Sequence, residues 1–168
     1  MLKSEKWKQW TIANEEACLT CSYNNGKIYP IYADVSADIP AHGFCRCYTS
    51  PLAAIYAGEA TINGTTGADW YLKYFKELPE YYITKKEAIS LGWVNTKGNL
   101  SIVAPKKMLF GGKYKNRNNK LPDAPGRIWF EADINYTDGW RNDSRILFSN
   151  DGLLFVTYNH YKTFKEII

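Results

Sequence analysis

The sequence predicts an α+β protein with a small cysteine-rich module ahead of its main domain, and three observations carry that reading. Within residues 68–168 helical patterns come first, with Tyr71, Leu72 and Phe75 on one stripe, and short apolar runs separated by turn residues follow Pro105. All four cysteines, Cys18, Cys21, Cys45 and Cys47, lie in the first fifty residues. Charge divides in a similar way. Residues 1–60 hold five Lys/Arg and six Asp/Glu, whereas the remainder holds sixteen and eleven, so the second part suits an anionic partner.

A chain of 168 residues, 45% hydrophobic and 23% charged, has room for a module over residues 1–50, a linker over 51–67 and a domain over 68–168. No apolar run approaches the roughly 18 residues of a membrane span. The amphipathic start, with Glu5 among lysines and tryptophans, does not read as a secretory signal. Export is therefore expected by another route, or the chain begins inside a longer one.

In chain order, residues 6–18 are expected to be helical, and Asn24-Asn-Gly-Lys27 reads as a turn into a short strand. The Gly/Ala/Thr-rich stretch 51–67 reads as the linker. Residues 68–78 form a helix ended by Pro79, and Thr84-Lys-Lys-Glu87 is a capping box opening a helix that Gly92 closes. A short helix over 99–104 stops at Pro105. Residues 110–120 are polar, basic and flexible around Tyr114, which suits a nucleotide-binding loop. Residues 127–134 alternate as a strand, with Arg127, Trp129, Glu131 and Asp133 on one face and Ile128, Phe130, Ala132 and Ile134 on the other. Asp138-Gly139 marks the turn that leads to Arg141 and Arg145. A further hairpin turns at Asn150-Asp-Gly152, and residues 164–168 are a last strand.

The charged face carries the chemistry. Glu131 is a candidate general base and His160, the single histidine of the basic part, a candidate general acid. Arg141, Arg145 and Lys85, the last in a helix's first turn, are candidate phosphate clamps, with Asp133 holding the two arginines in place. Together these groups suffice to cleave RNA without a metal. Glu131 takes the ribose 2′-OH proton, the oxygen attacks the adjacent phosphate, and His160 protonates the leaving 5′-oxygen. DNA lacks that nucleophile.

These residues sit among longer runs, including Tyr82-Ile-Thr-Lys85, Leu91-Gly-Trp-Val94, Lys97-Gly-Asn-Leu100, Glu131-Ala-Asp-Ile-Asn-Tyr-Thr137 and His160-Tyr161. On them, residues 68–168 resemble the barnase-like bacterial ribonucleases throughout. The resemblance implies N-terminal helices packed on a five-stranded antiparallel sheet, an endoribonuclease acting through a 2′,3′-cyclic phosphate, no catalytic cofactor, and an acidic inhibitor protein that protects the producing cell. It assigns the base to Glu131, the acid to His160, phosphate binding to Lys85, Arg141 and Arg145, support to Asp133 and a site-lining role to Tyr161. Asn116, Arg117 and Asn118, with Tyr114, fall in the substrate-binding loop. There the family pattern Ser-Asn-Arg-Glu reads Lys115-Asn-Arg-Asn118, and a strict guanine preference is not expected.

In the first part, Cys18-Leu-Thr-Cys21 and His42-Gly-Phe-Cys-Arg-Cys47 can supply four or five ligands to a structural zinc ion, with His42 an alternative ligand; two disulfides and four free thiols are the other readings. With Asn25-Gly-Lys27 and Tyr29-Pro30 between them, these motifs are similar to the C-terminal motif of phage minor head morphogenesis proteins. That resemblance implies a phage-derived delivery module. The combined expectation is a monomeric two-part toxin, secreted or virion-delivered, that cleaves single-stranded RNA in a target-cell cytoplasm. A catalytically weak RNA-binding or structural phage module is the alternative.

Overall fold

The computed structural model describes residues 1–13, 17–36, 39 and 42–168. The chain divides into two compact units, one of residues 1–54 and 116–126 and the other of residues 55–115 and 127–168. Neither unit is a single run of sequence. Among the described residues there are nine strands.

In the first unit, β1 (Leu2–Thr11) lies between β2 (Ile28–Pro30) and β3 (Tyr48–Ile55), antiparallel to both. The helix expected over residues 6–18 is thus corrected at its start. Trp7 and Trp10 stand at a helical spacing, but Gln9 pairs with Ile28 on one side and Ser50 on the other. Between Lys3 and Lys8 the ladder slips, and there the Ser4 hydroxyl accepts from the Lys6 and Trp7 amides at 3.0 and 2.9 Å. Residues 14–16 of that expected helix lie outside the described residues, as do Pro40 and Ala41 just before His42. A short helix, α1 (Leu19–Asn24), begins at Cys18, and Gly26 at φ +83° turns the chain into β2 as expected. Trp10, Cys21, Ile28, Leu52 and Leu121 are buried in this unit.

The second unit contains β4 (Tyr82–Thr84), β5 (Met108–Tyr114), β6 (Trp129–Asp133), β7 (Arg145–Ser149), β8 (Leu154–Thr157) and β9 (Lys165–Ile167), adjacent in that order. Its helices are α2 (Ala68–Tyr74), α3 (Lys85–Ser90) and α4 (Leu100–Val103). The α+β class is as expected, but the five-stranded antiparallel sheet behind N-terminal helices is not. The chain opens on a strand, and this unit's sheet has six strands and is mixed, because β4 runs parallel to β5. The physical reason is the crossover. Helices α3 and α4 lie between β4 and β5 in the chain and return it to the same edge in the same direction. From β5 to β9 neighbouring strands are antiparallel.

Local signals explain the helix limits. Thr84 and Glu87 form the capping box, with the Thr84 amide donating to Glu87 Oε2 at 2.6 Å and the Glu87 amide to Thr84 Oγ1 at 3.2 Å. Gly92, at φ +99°, follows the end of α3. α2 stops short of Pro79, because Lys76 takes φ +64°. Residues 110–114 were expected in a flexible loop and instead belong to β5, where Tyr114 pairs with Trp129. Ala68 and Leu72 of α2 pack on Ala132, Ile146, Leu154 and Val156, which line one face of the central strands. The opposite face is left for Glu131 and Asp133.

Residues 51–67, expected as a linker, hold the end of β3 and a 3-10 turn, Gly64–Thr66. The carboxylate of Asp69, fully buried, accepts from the Gly58 and Ala60 amides at 2.7 and 2.9 Å and from the Thr61 hydroxyl at 2.8 Å. One side chain therefore organises this stretch. Asp69→Ala strands these donors and is expected to cost about 2–4 kcal/mol, read as a lower urea midpoint at unchanged slope.

Candidate active site

Strand β6 sets the site. Its alternation turns Ala132 into the core while Glu131, half-buried, faces the other way beside the Gly111 position of β5. The β5–β6 register shifts between Phe110 and Gly112. A Cβ on Gly111 would stand 2.6 Å from Glu131 Cγ and 2.8 Å from Oε1, so the glycine makes room for the carboxylate. The Tyr161 hydroxyl donates to Glu131 Oε2. Burial first, and then this bond, push the Tyr161 phenol well above its ordinary pKa, so near neutrality it is a proton-bearing donor. Tyr114 stacks on Tyr161 with ring centroids 5.2 Å apart, and its own phenol is raised by burial and then by Glu131.

Two strand positions further along, Asp133 is buried and pairs across the sheet with Arg145. Its Oδ1 receives Arg141 Nη2 at 2.6 Å and Arg145 Nε at 3.0 Å, and its Oδ2 receives Arg141 Nε at 2.7 Å. Arg145 Nη1 donates to the Asn142 and Ser144 carbonyls at 2.6 and 2.7 Å. Both guanidiniums are thereby fixed as a fork beside the Glu131 face. The bond to Asp133 raises the Arg141 pKa further above its already high value. Arg141 is the more open of the two, with its side chain 21% exposed against 6% for Arg145.

His160 lies in the loop after β8. It and Tyr161 take φ values of +52° and +65°, a region that non-glycine residues seldom enter. The loop is over-determined by its own bonds. The His160 amide donates to the Asp143 carbonyl at 3.0 Å, and the Tyr161 amide to Thr157 Oγ1 at 3.1 Å. This conformation turns the Tyr161 hydroxyl to Glu131 and leaves His160 exposed, its ring centroid 4.9 Å from that of Tyr161. Strain concentrated at a site-forming pair is a feature of functional loops.

Lys85 is the first residue of α3, exposed, directly after Thr84, which pairs with Phe110 of β5. Asn116, Arg117 and Asn118 belong to the first unit. There the Asn116 amide donates to the Leu121 carbonyl at 2.9 Å and its oxygen accepts from the Leu121 amide at 3.1 Å, so this side chain holds its own loop, while Arg117 and Asn118 are exposed. Arg127, expected on the face of Glu131, is paired with Asp151 at 2.7 Å. Also in the first unit, ligand atoms of Cys18, Cys21 and His42 lie within 4.8 Å of one another, as do those of Cys21, Cys45 and Cys47. This Cys/His group could hold a structural metal.

The sequence reading missed one site residue, Gly111, visible only as half of a glycine pair; Tyr161 was expected to line the site, but its direct bond to Glu131, thirty positions away, was not foreseen. Gly111→Ala is expected to displace Glu131 and lower activity by about 10²-fold with the fold retained. Gly112→Ala is the contrasting variant, since a Cβ there meets nothing within 4 Å and the penalty is backbone strain at φ +83°. Parallel activity and melting measurements on the two separate these effects.

A carboxylate on a sheet face, bonded by a tyrosine and flanked by two pinned guanidiniums, is suited to handling a phosphodiester. Residues 67–168 match the ribonuclease family model, and the chain belongs to that family. It is 50% identical over 108 residues to a ribonuclease of Heyndrickxia coagulans, an alignment covering 64% of this chain and 99% of that protein. Ribonucleases of Bacillus intermedius and Bacillus pumilus show the same identity over 108 residues, covering 64% of this chain and 67% of each.

Proposed function

We infer that the chain is an endoribonuclease that cleaves single-stranded RNA by transphosphorylation, with no metal taking part in the step. The observation that carries this reading is Glu131, held by Tyr161 beside the Asp133-pinned arginines in a chain of the ribonuclease family. Glu131 accepts the 2′-OH proton, and the oxygen attacks phosphorus. Arg141, Arg145 and Lys85 stabilise the charge that grows on the phosphoryl oxygens, and His160 protonates the departing 5′-oxygen. The products are a 2′,3′-cyclic phosphate and a free 5′-hydroxyl. Tyr114 and Tyr161 offer a stacked pair of rings on which a nucleobase can lie.

The wider role we infer is that of a toxin acting in a target-cell cytoplasm, monomeric, with the cysteine-rich N-terminal segment serving secretion or virion delivery and an acidic protein as inhibitor. The positive balance after residue 60 and the likeness of the cysteine segment to phage head proteins support it. Among the described residues no helix is long and apolar enough to cross a membrane.

The change from the family's Glu to Asn118 favours a second reading, a weakly catalytic RNA-binding module. Incubation with RNA in excess EDTA, followed by end-group analysis, separates the two. The enzyme leaves 2′,3′-cyclic phosphate ends under chelation, whereas the binder protects RNA and leaves none. Cleavage that stops on chelation and returns with added divalent metal would reject the proposed chemistry.

A further inference from the structure

The cysteine cluster of the first unit has a geometry that neither thiol pairing nor hydrogen bonding explains. The Nε2 atom of His42 lies 3.0 Å from Cys18 Sγ and 3.6 Å from Cys21 Sγ. Neutral imidazole offers at one nitrogen either a lone pair or a proton, enough for one partner. Cys21 Sγ is in turn 3.5 Å from Cys45 Sγ. A disulfide holds its sulfurs at about 2.05 Å, and all four cysteines are free. Cys21, 2% exposed, is the hub from which the other donors radiate.

A tetrahedral zinc ion accounts for these spacings. With Zn–S near 2.3 Å and Zn–N near 2.0–2.1 Å, the edges of the tetrahedron are about 3.8 Å between sulfurs and about 3.5 Å between sulfur and nitrogen. The backbone adds a second observation. The Cys21 amide donates to Cys18 Sγ at 3.5 Å and the Cys47 amide to Cys45 Sγ at 3.4 Å, so the leading sulfur of each motif receives a peptide N–H. Such bonds hold the two sulfurs in place, as the outer partners of metal ligands do. The donors line a cleft of about 380 Å³ with Ala17 and Phe44.

We propose that Cys21, shared by both groups of donors, binds one structural zinc ion together with Cys18, Cys45 and one of His42 and Cys47. Three thiolates with an imidazole or a fourth thiolate favour zinc over harder divalent ions. The ion ties α1 to the segment before β3, a staple suited to a unit with so small a core.

The test uses the full chain purified under reducing conditions, with zinc measured by elemental analysis and native mass spectrometry. One zinc per chain that survives dialysis is expected, and replacement by cobalt(II) should give the intense visible bands of a tetrahedral thiolate site. Of His42→Ala and Cys47→Ser, the one that removes the fourth ligand should lower affinity at least tenfold in a competition titration with a chromogenic chelator, and the other should keep the zinc at full stoichiometry. Zinc-free protein with two disulfides, or zinc-free protein with four thiols freely reactive to a thiol reagent, would overturn the site. Full zinc affinity in both His42→Ala and Cys47→Ser would overturn the ligand set.

Discussion

Glu131→Gln should lower RNA cleavage by about 10²–10⁴-fold, the usual contribution of a positioned general base, while the protein stays folded. The substitution keeps the side chain's shape and an acceptor for the Tyr161 hydroxyl, and it leaves untouched the arginines, whose carboxylate partner is Asp133. What it removes is the capacity to take a proton. His160→Ala should show a comparable loss, but the two variants should part on a chosen substrate. A nucleoside 3′-phosphodiester with a p-nitrophenolate leaving group departs without protonation, so it should restore much of the rate to His160→Ala and little to Glu131→Gln. Equal rescue of both, or full activity of Glu131→Gln on RNA, would sink the assignment of roles. Separate kcat and KM values matter here, since loss of a transition-state contact lowers kcat with KM little changed.

Much of the second unit was legible because its signals are local. Alternation put Glu131 and Asp133 on one face of a strand, Thr84 and Glu87 announced α3, and the glycines at 92 and 152 marked turns they do make. Other features depend on contacts that no window of sequence contains. β4 is three residues long and runs straight into α3, too short for a period to show, and its parallel pairing depends on where two helices return the chain. β1 misled because Trp7 and Trp10 imitate a helical stripe while a serine-capped irregularity resets the ladder between Lys3 and Lys8. Within the site, residue types and candidate roles were readable, but which partner each cation takes depends on the fold. Arg127 was expected on the Glu131 face by alternation and Arg141 as a phosphate clamp; in the fold Asp151 takes the first and Asp133 the second. Arg145 opens β7 directly opposite Asp133, whereas Arg141 reaches the same carboxylate from the loop between β6 and β7. In the cysteine segment the spacing named the donors, but the convergence of two sulfurs on one His42 nitrogen is a property of the fold.

Asp133→Asn should be the most damaging single exchange for stability in the site, costing about 3–5 kcal/mol, the range for removing one partner of a buried ion pair. Asp133 is 1% exposed, and its two oxygens together accept from Arg141 and Arg145. Asparagine keeps one carbonyl oxygen but turns an amide N–H₂ toward guanidinium N–H groups. Two cations then face each other with no carboxylate between them, and Arg145, 5% exposed, cannot move its charge into water. Against a typical domain stability of about 5–15 kcal/mol this is a large fraction. Arg141→Lys makes the informative partner variant. Lysine cannot supply the two-pronged contact, but Arg141 is the more open cation, so its loss should fall mainly on kcat and lightly on the urea midpoint. If Asp133→Asn unfolds within about 1 kcal/mol of the parent, the carboxylate is no buried pin. If Arg141→Lys keeps full activity, the guanidinium fork that Asp133 holds has no part in stabilising the phosphate.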